Sequence, residues 1–294
     1  MNKKLDPSKI KALAIDLDGT TLMPDTTLGV RTQKIFHKLI ERGMQIIIAT
    51  GRAVEASWKI INAIGAEGPM VFFNGAEVAD LPSGKVLSVN LVRNDIMDFC
   101  VDIARSMNIY FQIYLQAGIS PNTGKNDPVQ NCTAQSWEAL VIEKAGEESE
   151  LYQRHTGIVP VVKDLKTVIA APEMRIIKGM YIADPSLHDE LRQKLNERFN
   201  NQINILRSFP AFLEILNAGV SKGEGLKTAM LHRGLKPEEV IAFGDEENDL
   251  SMFEAVGFCG APTGARDKIR RAADFTYPSI EEEGLAAYLE ETFL

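Results

Sequence analysis

The chain of 294 residues is poor in the residue types on which several classes of protein depend. Its three cysteines, Cys100, Cys132 and Cys259, are far apart and form no CxxC pair, so neither a disulfide framework nor a thiolate zinc site is predicted. The four histidines are equally scattered and lack the spacing of metal ligands. Acidic residues (40) outnumber basic ones (32), and the net charge of -8 argues against a nucleic-acid-binding protein.

Long apolar runs are also missing. No run reaches the ~18 residues that span a bilayer, so no membrane association is predicted. Asp6, Lys9 and Lys11 interrupt the apolar stretch that a signal peptide needs, and the cytoplasm is therefore the expected location. The remaining composition, 45% hydrophobic and 24% charged, is typical of a globular protein with one large or two ordinary domains. No pattern predicts the oligomeric state.

Both ends of the chain have the pattern of a doubly wound parallel sheet. Short, fully apolar segments alternate with amphipathic segments that fit helices, as expected for strands that are buried on both faces. In the first part we predict strands at 12–15, 45–49 and 70–73 and helices at 29–42 and 54–64. In the last part we predict strands at 212–216 and 240–243 and helices at 222–231, 249–256 and 266–273.

The middle of the chain mixes helices with short strands and predicts an inserted α+β domain. A hairpin around residues 82–84 leads into it. Helices are predicted at 95–107, 147–155 and 185–199, strands at 109–115, 139–143, 177–183 and 203–207, and a long polar loop at 116–135. The predicted fold is an α/β core with a doubly wound, Rossmann-like parallel sheet, formed by residues 1–88 and 212–294, and a cap domain formed by residues 89–211.

Two carboxylates follow the first predicted strand. Asp16 and Asp18 are two positions apart, so both can point into the crevice beyond the carboxyl ends of the strands. One carboxylate there can attack phosphorus and form an aspartyl-phosphate. The other can protonate the departing ester oxygen and later deprotonate the water that hydrolyses the intermediate. Gly19 permits the sharp turn that this loop requires.

Candidate phosphate-binding groups follow the second strand and begin a later helix. The hydroxyl of Thr50 and the backbone amides around Gly51 can hold a phosphate oxygen, and Arg52 can orient the substrate. Lys222 begins a predicted helix, where a cation is unfavourable unless an anion is bound beside it. Each feature is common in isolation, and it is their combination that indicates a phosphate site.

A second acidic cluster follows the strand at 240–243. Asp245 is placed to bind a hard cation through oxygen, and Mg²⁺ prefers few carboxylates together with water and substrate phosphate. Asn248 and Asp249 can orient the ligands of that ion. A metal ion between Asp16 and Asp245, together with the charge of Lys222, would offset the repulsion between a carboxylate nucleophile and an anionic phosphoryl group. The sequence therefore predicts a magnesium-dependent phosphatase.

These residues resemble the haloacid dehalogenase superfamily of phosphohydrolases, in its Cof-type branch (subfamily IIB, with a C2-type cap). The resemblance spans essentially the whole chain and rests on the segments 16–20 (DLDGT), 49–52 (ATGR), 73–76 (FNGA), 220–223 (VSKG) and 244–249 (GDEEND). One departure is residues 263–265 (TGA), where relatives usually carry Gly-Asn-Ala.

The resemblance implies a role for each motif residue. Asp16 would be the nucleophile and Asp18 the acid/base, and Mg²⁺ would be bound by Asp16, the backbone carbonyl of Asp18, and Asp245. Thr50 and Lys222 would bind phosphate. Asn74 and Asn248 would line the site.

Three functions remain open from the sequence. The leading one is hydrolysis of a small phosphate monoester, such as a sugar phosphate or a phosphorylated cofactor. A phosphosugar mutase of the same branch would use the same paired aspartates. A non-catalytic phosphometabolite-binding protein would be expected to lack Asp16, Asp18 or Asp245, and all three are present. A dehalogenase is disfavoured because it needs neither Asp18 nor a metal.

Overall fold

A computed structural model describes residues 5–116, 140–171 and 174–294 of the chain. Apart from Gln116, the predicted loop at 116–135 lies outside the described residues. The chain divides into two compact units, one formed by Met1–Ser88 and Ser221–Leu294 and the other by Val89–Val220. Among the described residues, no helix has both the length and the apolar character needed to cross a membrane.

The elements follow one another in a mixed α/β order. The strands are β1 (Ala12–Ile15), β2 (Gln45–Ile48), β3 (Gly68–Phe72), β4 (Glu77–Leu81), β5 (Lys85–Val89), β6 (Tyr110–Leu115), β7 (Leu140–Ile142), β8 (Val161–Val162), β9 (Ile176–Ile182), β10 (Ile203–Phe209), β11 (Phe212–Asn217), β12 (Val240–Phe243), β13 (Phe258–Pro262) and β14 (Phe275–Tyr277). The helices are α1 (Val30–Glu41), α2 (Val54–Ile64), α3 (Asn94–Met107), α4 (Glu147–Thr156), α5 (Leu165–Ala170), α6 (His188–Phe199), α7 (Lys222–Arg233), α8 (Leu250–Ala255), α9 (Asp267–Ala272) and α10 (Gly284–Phe293). Short 3₁₀ helices span Pro7–Lys9, Phe73–Gly75, Pro185–Leu187, Asn200–Gln202, Pro237–Glu239, Glu247–Asp249 and Ile280–Glu282.

The first unit is built on a five-stranded parallel sheet in the order β14-β13-β12-β1-β2. All four residues of β1 and of β12 are buried, because the sheet is covered on both faces. β3 continues beside β2 through a parallel bridge between Ala49 and Val71, and β3, β4 and β5 form a three-stranded sheet of their own. The predicted α/β core with a parallel central sheet is confirmed.

The central strands β1 and β12 mark the switch point of the sheet. From β1 the chain passes to its neighbour β2 on one side, and β12 lies on the other side. Ligands of open α/β sheets bind beyond the carboxyl ends of the strands at such a point. The first residues beyond these two ends include Asp16 after β1 and Asp245 after β12.

The second unit is built on a six-stranded sheet in the order β10-β11-β9-β6-β7-β8. One face packs against α3, α5 and α6 and forms a continuous apolar core that includes Phe111, Ile113 and Ile215. Gln112 and Glu214 alternate with these core residues along β6 and β11, so they lie on the opposite face.

One predicted strand belongs to the other unit. The sequence predicts that the core resumes at residue 212, but β11 pairs antiparallel with β9 and β10 and is part of the six-stranded sheet. The second compact unit accordingly runs to Val220. The physical reason is that five of the six residues of β11 are buried, including Glu214. A strand with such a pattern fits equally well into either sheet, and only the register of its partners decides between them.

A buried ion pair lies on that opposite face of the six-stranded sheet. Lys178 Nζ is 3.1 Å from Glu214 Oε2, and the two side chains are 2% and 4% exposed. Ser208 Oγ donates a hydrogen bond of 2.5 Å to the other carboxylate oxygen of Glu214. Breaking such a pair from one side is costly because the remaining charge stays buried without its partner.

We expect Lys178→Met to lower the free energy of unfolding by about 3–5 kcal/mol, because the buried Glu214 would lose its cationic partner. Lys194→Met is the matched control, since Lys194 pairs with Glu190 at the surface with both side chains about half exposed, and such pairs contribute at most about 1 kcal/mol. Urea denaturation measures both variants. Adding Glu214→Leu to Lys178→Met should restore much of the loss. Equal effects of the two lysine substitutions would contradict a stabilising role for the buried pair.

Candidate active site

Asp16 is fixed by its backbone immediately beyond β1. Its N–H donates to the carbonyl of Phe243 at the end of β12 (3.0 Å), and its own carbonyl accepts a hydrogen bond from Thr21 Oγ1 (2.6 Å). The residue is only 5% exposed. The candidate nucleophile therefore has a single, shielded position in the crevice.

Lys222 is the first residue of α7 and is 1% exposed. Its Nζ donates to Asp16 Oδ1 (2.6 Å) and to Asp249 Oδ1 (2.7 Å). A cation at a helix N-terminus opposes the helix dipole, and here two carboxylates offset that cost. The loop before the helix approaches Gly75 so closely that a Cβ there would lie 2.0 Å from the carbonyl oxygen of Ser221, which explains why glycine occupies this position with φ +97°.

Asp249 joins Lys222 to the loop that follows β12. Its Oδ1 accepts from Lys222, and its Oδ2 accepts from the backbone N–H groups of Asp245 (2.9 Å) and Glu246 (3.0 Å). The side chain is completely buried. Both carboxylate oxygens of Asp249 are thus engaged in holding other parts of the site.

Asp245 faces the turn that follows Asp18. Its Oδ1 accepts a hydrogen bond from Thr20 Oγ1 (2.7 Å), and a Cβ on Gly19, which has φ +76°, would lie 2.3 Å from its Oδ2. Carboxylate oxygens of Asp16, Asp245 and Asp249 lie within 4.8 Å of one another. Thr20, which has no role in the prediction from the sequence, thus links the loop after β1 to the loop after β12. Its signal in the sequence is a hydroxyl that directly follows the glycine of an acidic turn.

Asp18 does not belong to that group of three carboxylates and is held by Arg52. The guanidinium donates from Nε to Asp18 Oδ2 (2.7 Å) and from a terminal nitrogen to Oδ1 (2.5 Å). The Asp18 side chain is 54% exposed, whereas that of Arg52 is 11% exposed. The two-point contact fixes the plane of a carboxylate that remains open to solvent.

The remaining predicted residues meet in the loops after β2, β3 and β12. The Asn74 N–H donates to the Thr50 carbonyl (3.0 Å), and Asn248 Nδ2 donates to Asn74 Oδ1 (2.9 Å). Gly51 lies against the same amide, since a Cβ there would be 3.1 Å from Asn74 Oδ1. Asn248 Oδ1 is buried and has no donor among the described residues, so it is available to a ligand.

Electrostatics set the ionisation of the buried groups. Burial raises the pKa of Asp16 well above its usual range; Lys222 opposes this effect, and the neighbouring carboxylates add to it. Burial and the charge of Asp249 raise the pKa of Asp245 to about 7. Burial disfavours the ammonium of Lys222, but the charges of Asp16 and Asp249 outweigh that effect and raise its pKa. Full ionisation of all three aspartates would give the cluster more negative charge than the ammonium of Lys222 offsets, and the raised pKa values of Asp16 and Asp245 reflect that imbalance.

Comparisons with known proteins identify the family of the chain. Residues 13–289 match the family model of haloacid dehalogenase-like hydrolases. The chain is 28% identical over 244 residues to an HMP-PP phosphatase of Cronobacter sakazakii, covering 83% of this chain and 80% of that protein. It is 26% identical over 294 residues to a 5-amino-6-(5-phospho-D-ribitylamino)uracil phosphatase of Bacillus subtilis, covering 96% and 98%.

Solved structures are similar in fold. A haloacid dehalogenase-like hydrolase of Bacteroides thetaiotaomicron superposes with a TM-score of 0.82 at 24% identity, covering 97% of this chain and all of that one. The match to the family model covers nearly the whole chain, and the two relatives described above are named as phosphatases. The chain therefore belongs to the haloacid dehalogenase-like hydrolases, as a Cof-type phosphatase that hydrolyses phosphoric monoesters.

Proposed function

We propose that this protein hydrolyses a small phosphorylated metabolite with the help of Mg²⁺, through an aspartyl-phosphate on Asp16. The observation that carries the proposal is the buried Asp16 carboxylate, which is hydrogen-bonded to Lys222 and grouped with two further aspartates, while Asp18 is held accessible by Arg52. The named activities of the relatives, on HMP-PP and on a phosphorylated ribitylaminouracil, support a small phosphorylated metabolite as substrate.

The donor set fits a hard divalent cation. Three carboxylates face one ammonium, so the cluster needs positive charge before a phosphate dianion can approach. Asp249 uses both oxygens on Lys222 and on backbone N–H groups, which suits an orienting role. Asp16 and Asp245 each keep one oxygen to which no described residue donates, and these two, with the backbone carbonyl of Asp18, would hold the ion.

A bound Mg²⁺ would offset the carboxylate charge and attract the phosphate oxygens. The remaining chemistry falls to the chain itself. Asp16 forms the bond to phosphorus, and Lys222 and Thr50 bind the non-bridging oxygens that carry the developing charge. Asp18, which is open to solvent and must first take up a proton there, donates that proton to the ester oxygen as it leaves. The resulting carboxylate then accepts a proton from the water that attacks the aspartyl-phosphate and releases phosphate.

We expect Asp16→Asn to lower metal-dependent phosphate release from p-nitrophenyl phosphate by at least about a thousandfold, because the amide is a poor nucleophile. Asp189→Asn makes the same chemical change at an exposed position of α6 and should leave activity unchanged. Circular dichroism checks that both variants are folded. Wild-type activity in the Asp16 variant would refute the proposed mechanism.

Arg52→Lys tests whether Arg52 acts through Asp18. Lysine keeps the charge but loses the two-point contact, so the proton donor is less well aligned. An alkoxide needs that proton, whereas p-nitrophenolate leaves without it. We expect kcat for an alkyl phosphate to fall about tenfold more than kcat for p-nitrophenyl phosphate. An equal fall for both substrates would assign Arg52 to substrate binding instead.

The raised pKa of Asp245 gives the metal-free protein a specific pH dependence. A carboxyl with a folded-state pKa of about 7 and an unfolded value of 3.8 binds more protons when folded, so it destabilises the protein progressively as pH rises through that interval. A cation that binds the ionised Asp245 carboxylate stabilises the folded protein most at the upper end of that pH interval, where the carboxylate is ionised. We expect Mg²⁺ to raise the melting temperature by about 4 °C or more at pH 8 and hardly at all at pH 5.

The matched variant for this measurement is Asp245→Asn. It removes the titrating group, so its metal-free melting temperature should fall less between pH 5 and pH 8 than that of the wild type. It should also lose most of the Mg²⁺ effect. A Mg²⁺-induced shift of the same size at both pH values would show that Asp245 does not titrate as described.

A further inference from the structure

Tyr277 ends β14 with its hydroxyl inside the first unit. The residue is 2% exposed, and its Oη is buried without a hydrogen-bond partner among the described residues. Its backbone carbonyl accepts a hydrogen bond from the Thr263 N–H (2.8 Å). A buried tyrosine hydroxyl normally has a partner, because burial removes the water that would otherwise bind it. The unpaired hydroxyl therefore requires an explanation.

The surroundings of Tyr277 point to the carboxylate cluster. Its ring packs at 70° against the ring of Phe243, with centroids 5.8 Å apart, and Phe243 is separated from Asp245 only by Gly244. Burial raises the pKa of Tyr277 well above its usual range, and the negative charges of Asp245, Asp249 and Asp16 raise it further. The phenol therefore stays protonated, and its buried hydroxyl offers a neutral donor and acceptor whose ring packs on the residue that ends β12.

We propose that Tyr277 is a positioning residue of the metal site, whose Oη accepts a hydrogen bond from a water molecule bound to the cation. The inference rests on the proposed function, because it needs the cation that Asp16 and Asp245 would hold. Mg²⁺ keeps several of its waters in protein sites, and each of those waters needs an acceptor. An acceptor that is already dehydrated and fixed by aromatic packing orients such a water at little further cost.

Tyr277→Phe isolates the hydroxyl, since the ring and its packing are kept. Because the hydroxyl has no partner in the metal-free protein, its removal should leave the melting temperature unchanged or slightly higher. The dissociation constant for Mg²⁺, measured by calorimetry without substrate, should rise about tenfold. Tyr288→Phe is the control: its ring stacks on Phe275 in the same aromatic group, and its loss should not change Mg²⁺ affinity.

Three results would overturn the inference. An unchanged Mg²⁺ dissociation constant in Tyr277→Phe would mean that the hydroxyl does not contact the hydrated ion. A clear fall in the metal-free melting temperature would mean that Oη already has a partner without metal. Failure of the wild type to bind Mg²⁺ would remove the metal part of the proposed function as well. Only this last result also affects the proposed function, so the two failures can be told apart.

Discussion

The buried ammonium of Lys222, held between Asp16 and Asp249, is the interaction on which the rest of the site depends. It joins the end of β1, the start of α7 and the loop after β12 through two hydrogen bonds of 2.6 and 2.7 Å. A cation in that place loses its hydration and opposes the helix dipole, so both carboxylates are needed to keep it there. Asp249 also holds the backbone of Asp245, so moving Lys222 would displace Asp16 and the loop that carries Asp245 together.

Among the described residues, the buried ion pairs of Lys178 and of Lys222 differ in their charge balance. Lys178 and Glu214 match one cation with one anion, and the other glutamate oxygen accepts a hydrogen bond from Ser208. Lys222 instead faces a group of three carboxylates. A site selected only for stability would remove that excess, since each unmatched buried carboxylate is destabilising. The excess is explained if the cluster acquires its missing positive charge from a ligand.

Much of the fold could be predicted from the sequence, but the identity of strand partners could not. For β1, β12 and α2, the apolar pattern of the sequence predicts the first and last residue of the element correctly. β13 was not predicted because Gly260 and Pro262 have low strand propensity, and its ladder to β12 stabilises it despite them.

The motif residues of the site could be predicted from the sequence one loop at a time. Their contacts across loops, such as Arg52 with Asp18, depend on distances that a sequence does not contain.

Asp16 and Asp18 show why two carboxylates of one loop can take different parts in the proposed reaction. Asp16 is shielded, hydrogen-bonded to an ammonium and fixed by its backbone, which suits a nucleophile that must meet phosphorus in one orientation. Asp18 is more than half exposed, yet its plane is held by Arg52, which suits a group that must exchange protons with water and still point at the leaving oxygen. Side chains two positions apart point to the same side of an extended chain, whereas the place of Asp16 beside β12 and of Asp18 at the Gly19 turn gives the two carboxylates different surroundings. The i, i+2 spacing therefore brings the two carboxylates to one crevice, and the difference in their roles arises from what surrounds each one.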